Sequence, residues 1–194
     1  GTLFDPEAMV AILCEVGDSG VVIVDEAYQP FASRSYIDRI TRHSHVLLMR
    51  TLSKFGLAGV RLGYMIGPKA LLAEVDKVRP PYNISVLNTE CALFALEHTE
   101  VFAAQAKDLR EQRTRLLKEL AAMPGVTPFP SEANMILARV PDAAKTFEGL
   151  KAHKVLVKNV SKMHPLLNAC LRLTVGTPAE NTLLLDALRD LAQA

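Results

Sequence analysis

The segment Thr51-Leu52-Ser53-Lys54-Phe55-Gly56-Leu57-Ala58-Gly59-Val60-Arg61-Leu62-Gly63-Tyr64 follows an apolar stretch, His45 to Met49, and gathers a lysine, an arginine and three glycines. Upstream, Val24-Asp25-Glu26-Ala27-Tyr28 closes the run Val21-Val22-Ile23-Val24, which Gly20 opens. A continuous apolar run of this length, ended by two carboxylates, predicts a parallel strand covered on both faces. His45 to Met49 reads as a second strand and Leu62 to Gly67 as a third. Where strands are joined by helical or loop crossovers, ligands collect beyond the carboxyl ends of the strands. Asp25 and the segment from Thr51 to Lys54 occupy those ends. Singly they say little, since a Ser-Lys pair on a loop is commonly a solvated lysine and an Asp ending a strand is commonly a turn residue.

Outward from these segments the pattern is of alternating helices and strands. Asp5-Pro6-Glu7 is a helix start, because an Asp side chain can accept from free amides of the first turn and Pro suits the first helical position. That helix runs to about Gly17, and another from Pro68 to about Lys77. After the bend at Arg79-Pro80-Pro81 come long helices, Ser85 to about Glu97 and Thr99 to about Ala122. Short strands are expected near Val126 to Phe129, Asn134 to Val140, Val155 to Lys158 and Cys170 to Val175, with a helix from about Asp142 to Ala152. Thr177-Pro178-Ala179-Glu180 is a capping-box pattern for a last helix to about Leu191. The fold class is α/β, with the later part of a large α/β domain over 1–80, a connecting helical region over 81–98 and a small α+β domain over 99–194.

Composition narrows the function classes. With 49% apolar and 22% charged residues, the 194-residue chain can bury a core. A net charge of +1, with no long run of one sign, gives no electrostatic case for nucleic acid or an anionic membrane. No apolar run approaches the roughly 20 residues of a membrane helix. The cysteines, Cys14, Cys91 and Cys170, are odd in number and widely spaced, which argues against a disulfide framework or a zinc knuckle and makes a reducing cytoplasm the default. His43 and His45 would share a strand face, yet no third ligand has suitable local spacing, so no metal site is expected. The charged helix with Arg110, Glu111, Arg113, Arg115, Lys118 and Glu119 reads as a solvated face with internal ion pairs. Gly1 opens without an initiator methionine and leads directly into a helix start, so the expectation is a chain cut from something longer.

Taken in order, Asp-x-x-Tyr after an apolar strand, then Thr-x-Ser-Lys and a Gly-rich stretch holding an Arg, the pattern resembles the cofactor site of class I and II aminotransferases. Gly1-Thr2 resembles the end of that family's Asn-Pro-Thr-Gly segment. Pro130-Ser131-Glu132-Ala133-Asn134 and Leu171-Arg172-Leu173-Thr174-Val175-Gly176-Thr177 are similar to segments of its histidinol-phosphate branch. The resemblance spans essentially the whole chain and implies the carboxyl-terminal portion of a fold-type I transferase dependent on pyridoxal 5'-phosphate.

On that resemblance, Lys54 would condense with the cofactor aldehyde and later move the proton between substrate and cofactor carbons. Asp25 would keep the pyridine nitrogen protonated, so that the ring can act as an electron sink. Tyr28 would hydrogen-bond the ring's phenolic oxygen. Ser53 and Arg61 would hold the phosphate, the guanidinium bidentately, with Gly56 and Gly59 letting the backbone turn tightly. The spacing from Lys54 to Arg61 is one residue shorter than in some members. Arg172 would be the clamp for the substrate anion. Lys158 stands where a second arginine is expected in many relatives, offering a point charge instead of a fork. Asn134 would support the substrate side or a turn.

The implied reaction moves an amino group between histidinol phosphate and 2-oxoglutarate, giving imidazole acetol phosphate and glutamate, in a cytoplasmic homodimer of histidine biosynthesis. Partners would be small molecules only. The alternatives are a decarboxylase of a phosphorylated amino acid, a general aromatic or aliphatic aminotransferase, or an inactive, self-associating fragment. The family's ring-stacking aromatic residue and amino-terminal phosphate loop would precede Gly1, so weak or absent cofactor binding by this chain alone is expected.

Overall fold

The computed structural model describes residues 1–40 and 42–193. Two compact units emerge, one formed by Leu3–Ala106, the other by Gly1–Thr2 with Lys107–Ala194.

In the first unit, α1 (Pro6–Val16) starts where Asp5 Oδ1 accepts from the amides of Glu7 and Ala8, and ends at Gly17, whose φ of 46° a side chain would resist. The sheet has the order β1 (Val22–Asp25), β2 (Val46–Thr51), β3 (Gly63–Ile66). β1 pairs with β2 in parallel, with Val22 opposite Val46 and Asp25 opposite Met49. β2 pairs with β3 antiparallel, with Arg50 opposite Tyr64 and Thr51 opposite Gly63. Val46, Leu47 and Leu48 are buried, and Leu13, Val24 and Tyr36 join Val46 and Leu48 in one core cluster. The apolar run at 21–24 is a strand, but not one covered on both faces: Val21 and Ile23 are about half exposed, so only the face carrying Val24 is packed.

A short helix, α2 (Ile37–Ile40), follows a 3-10 turn at Gln29–Phe31, and neither carries a strong pattern in the sequence. α3 (Lys69–Lys77) follows Pro68. α4 (Val86–Glu97) is capped by Ser85, whose hydroxyl accepts from the Asn88 amide at 3.2 Å. α5 (Thr99–Ala121) then runs 23 residues.

The second unit is a four-stranded sheet in the order β4-β5-β7-β6, formed by β4 (Thr127–Pro128), β5 (Met135–Arg139), β6 (Lys158–Asn159) and β7 (Cys170–Thr174). All three pairings are antiparallel. β6 is shorter than the expected Val155 to Lys158 strand and lies later, because Lys154 adopts a positive φ of 62° and turns the chain just before that stretch. α6 (Ala143–Ala152) is capped by Asp142, and α7 (Pro178–Gln193) opens with Glu180 accepting from the Thr177 amide and hydroxyl, each at 2.8 Å. Leu116, Leu120, Ile136, Leu150, Leu171 and Leu185 are all fully buried in one cluster. This apolar interior fixes β7 between two neighbours, and so fixes the root of Arg172.

Among the described residues, no helix is long and apolar enough to cross a membrane, and no group of three or more His, Cys, Asp or Glu side chains could hold a metal ion.

Candidate active site

Asp25 is the last residue of β1 and is exposed. Its Oδ1 accepts from the Ala27 amide at 2.8 Å, a local turn that leaves the second carboxylate oxygen available to a ligand. The adjacent parallel strand β2 ends at Thr51, so its carboxyl end delivers Leu52, Ser53 and Lys54 at the same edge of the sheet. Lys54 Nζ lies 5.0 Å from the centroid of the Tyr28 ring, within cation–π range. Tyr28 therefore meets the lysine through its ring face.

The loop after β2 is set by Thr51, whose Oγ1 accepts from the Ser53 amide at 3.0 Å and donates to the Leu62 carbonyl at 3.1 Å. Leu52 closes the same neck, its amide bonding to Leu62 O at 3.0 Å. The role of Thr51 as the clasp of this loop was not evident from residue order, although a threonine two residues before a serine amide is a recognisable turn signal. Gly56 has a φ of 118°, and a Cβ there would sit 2.9 Å from Phe102 Cδ1. A Cβ at Gly59 would meet no protein atom within 4 Å and its φ is not one that favours glycine, so the positive-φ turn of this loop is at Gly56. Arg61 is exposed and left-handed, with φ 56° and ψ 33°, following a 3-10 turn at Ala58–Val60.

A buried network stands behind this edge. The Glu26 carboxylate accepts from Arg50 Nε at 3.1 Å and Nη2 at 2.9 Å, from the Tyr36 amide at 2.6 Å, and lies within 3.0 Å of the Ser35 hydroxyl at both oxygens. Burial alone would lower the Arg50 pKa, but its hydrogen bonds to Glu26 and Tyr64 outweigh that and hold it above the usual arginine value. Glu26, Arg50, Thr51, Phe55 and Tyr64 line part of a cavity of about 260 Å³.

In the other unit, Arg172 lies on β7 directly opposite Leu137 of β5 and Lys158 of β6. Residues directly opposite share a face, so two cations stand side by side, an arrangement that is unfavourable unless an anion is near. The Arg172 Nε is buried without a hydrogen-bond partner among the described residues, while Lys158 is exposed. An unsatisfied buried donor on a guanidinium invites an acceptor. Asn134 precedes β5, and its backbone carbonyl accepts from the Val175 amide at 2.9 Å, so its main chain serves the sheet edge.

Comparison with known proteins identifies the family. The profile of the family described as aminotransferase class I and II matches residues 1–188. The histidinol-phosphate aminotransferase of Polaromonas naphthalenivorans is 70% identical over 187 residues, which cover 96% of this chain and 51% of that protein. Among solved structures, a histidinol-phosphate aminotransferase from Clostridium acetobutylicum superposes with a TM-score of 0.90 at 23% identity, over all of this chain and 60% of the other. One from Sinorhizobium meliloti, in complex with pyridoxal-5'-phosphate, gives a TM-score of 0.83 at 26% identity, over all of this chain and 54% of that one. The chain spans about half the length of the curated relatives it matches. With a profile match that runs from Gly1 to Leu188, the chain belongs to the class I and II aminotransferase family.

Proposed function

We propose that this chain carries the cofactor lysine and the substrate arginine of a histidinol-phosphate aminotransferase dependent on pyridoxal 5'-phosphate. The observation that carries the reading is that Asp25 and the Lys54 loop leave the carboxyl ends of two adjacent parallel strands, with Lys54 Nζ over the Tyr28 ring. The donor set suits that cofactor: a carboxylate for a protonated ring nitrogen, a phenol for a ring oxygen, a primary amine for an aldehyde, and a hydroxyl with a guanidinium for a phosphate. When bound, the cofactor supplies an aldehyde carbon and a ring that accepts electron density from the substrate.

The chain's own residues would do the rest. Lys54 would attach the aldehyde and, once displaced by the substrate amine, carry the proton at its Nζ between substrate and cofactor carbons. Asp25 would hold the ring nitrogen's proton by charge. The Tyr28 hydroxyl would bond the ring oxygen, which requires the ring to turn its edge, not its face, towards the lysine. Ser53 and Arg61 would bind the phosphate. Arg172, with Nε in need of an acceptor, would clamp the substrate anion, and Lys158 beside it would add a second positive charge. Amino donor and acceptor would be histidinol phosphate and 2-oxoglutarate.

A cytoplasmic homodimer is the setting we propose, on the resemblance to the class I and II aminotransferase family. The domain limits proposed are 1–80, 81–98 and 99–194. The test is borohydride reduction of the full-length enzyme with pyridoxal phosphate, followed by peptide mapping. Label concentrated on Lys54 and lost in Lys54→Ala supports the reading, and label spread evenly over surface lysines overturns it. In the full-length enzyme, glutamate formed without carbon dioxide release separates transamination from decarboxylation.

A further inference from the structure

The last backbone rung between β1 and β2 is the Glu26 amide bonding to Met49 O at 2.9 Å. Beyond it the strands diverge, β1 into the turn holding Tyr28 and β2 into its pairing with β3 and the Lys54 loop. What spans the divergence is side-chain chemistry. Glu26, one residue after Asp25, pairs with Arg50, four residues before Lys54. The same carboxylate takes the Tyr36 amide, and Arg50 Nη2 also donates to the Ser35 hydroxyl at 2.9 Å, so three chain segments converge on one group. Side chains alternate along a strand, so Glu26 and Arg50 project on the opposite side of the sheet from Asp25. They cannot themselves touch a ligand held by Asp25 on its own side.

We propose that Glu26 and Arg50 are positioning residues, which fix the distance between the Asp25 strand end and the Lys54 loop and thereby set how readily Lys54 reacts with a bound aldehyde. This rests on the reading of Lys54 given above. A buried ion pair is in general a poor contributor to stability compared with apolar packing of the same volume. Its value here is geometric: a carboxylate saturated by Arg50, Ser35 and Tyr36 has one arrangement, and both strand ends are tied to it. The Ser35 hydroxyl is itself held, accepting from the Ile37 amide at 3.1 Å, which extends the tie to α2.

The experiment uses the full-length enzyme that contains this chain, with pyridoxal phosphate and borohydride. The amine condenses with the aldehyde, losing water, and borohydride delivers hydride to give a stable secondary amine. Mass mapping then reads the ratio of label on Lys54 to label on exposed Lys77, a ratio that loss of stability alone does not move while the protein stays folded. Glu26→Gln and Arg50→Met should each lower it about tenfold, the scale of losing hydrogen bonds to a charged group. Arg50→Lys should recover part of it. Should Glu26→Gln fail to fold, Ser35→Ala, which removes one contact to the carboxylate, should lower the ratio about threefold. An unchanged ratio in the folded variants, with the unmodified chain preferring Lys54, overturns the positioning role and leaves the lysine assignment intact. No preference for Lys54 in the unmodified chain overturns both.

Discussion

Replacing Gly56 with alanine tests the loop that carries Lys54. The perturbation has two separable parts. At φ 118° a side chain is strained, at about 1–3 kcal/mol. The new Cβ would also lie 2.9 Å and 3.0 Å from Phe102 Cδ1 and Cε1, an overlap costing roughly 1–3 kcal/mol more in a packed site. Phe102 cannot easily swing aside, since its ring lies against Phe55 with centroids 4.7 Å apart. Together the expected loss is about 2–6 kcal/mol. All four tyrosines, Tyr28, Tyr36, Tyr64 and Tyr82, lie within residues 3–106 and the chain has no tryptophan, so tyrosine fluorescence in urea follows that unit alone. In a Phe102→Ala background the overlap is gone and only the backbone cost should remain, a coupling of about 1–3 kcal/mol. A cost below about 1 kcal/mol, or an equal cost in both backgrounds, would refute the reasoning.

Two further outcomes concern the other unit. Glu119 accepts from Arg115 Nε at 2.9 Å and from Arg189 Nη2 of α7, and the Arg115 bond above all holds its carboxyl below the ordinary value. A depressed folded pKa gives stability that is present above the unfolded value of about 4.3 and lost as pH falls through the folded one. Thermal midpoints by circular dichroism should therefore fall on acidification below about pH 4.3, and less steeply in Glu119→Gln; parallel curves would count against the link. Asp142→Ala removes the acceptor of the Ala144 and Lys145 amides, each at 2.9 Å, and should destabilise α6 by about 1 kcal/mol, read as faster amide exchange in its first turn. Unchanged exchange there would show that the cap contributes nothing.

What the sequence revealed and what it concealed divide along physical lines. Caps are local, so Asp5, Ser85 and the Thr177–Glu180 box announced helix starts that the structure has within a residue. Apolar runs announced β1, β2 and β7, but periodicity carries no direction, and the antiparallel sense of β3 could not be read from Leu62 to Gly67. Nor could the bareness of one face of β1, which depends on what packs there and not on the strand's own residues. In the candidate site, Asp25, Tyr28, Ser53, Lys54 and Arg61 stand out because their order along the chain resembles the cofactor site of class I and II aminotransferases. The Glu26–Arg50 pair escaped notice, being 24 residues apart and joined only once β1 and β2 align. The available signal was a charge at each strand's end, where a solvated cap was the simpler reading.

The position of Arg172 on an inner strand of its sheet has an entropic consequence. Bonded to β5 on one side and β6 on the other, the backbone beneath the guanidinium has no freedom left to lose. An anion arriving there would have to still only the outer torsions of a single side chain, so little of the gross attraction is spent on ordering, and a small, simple ligand could be retained without a closing loop.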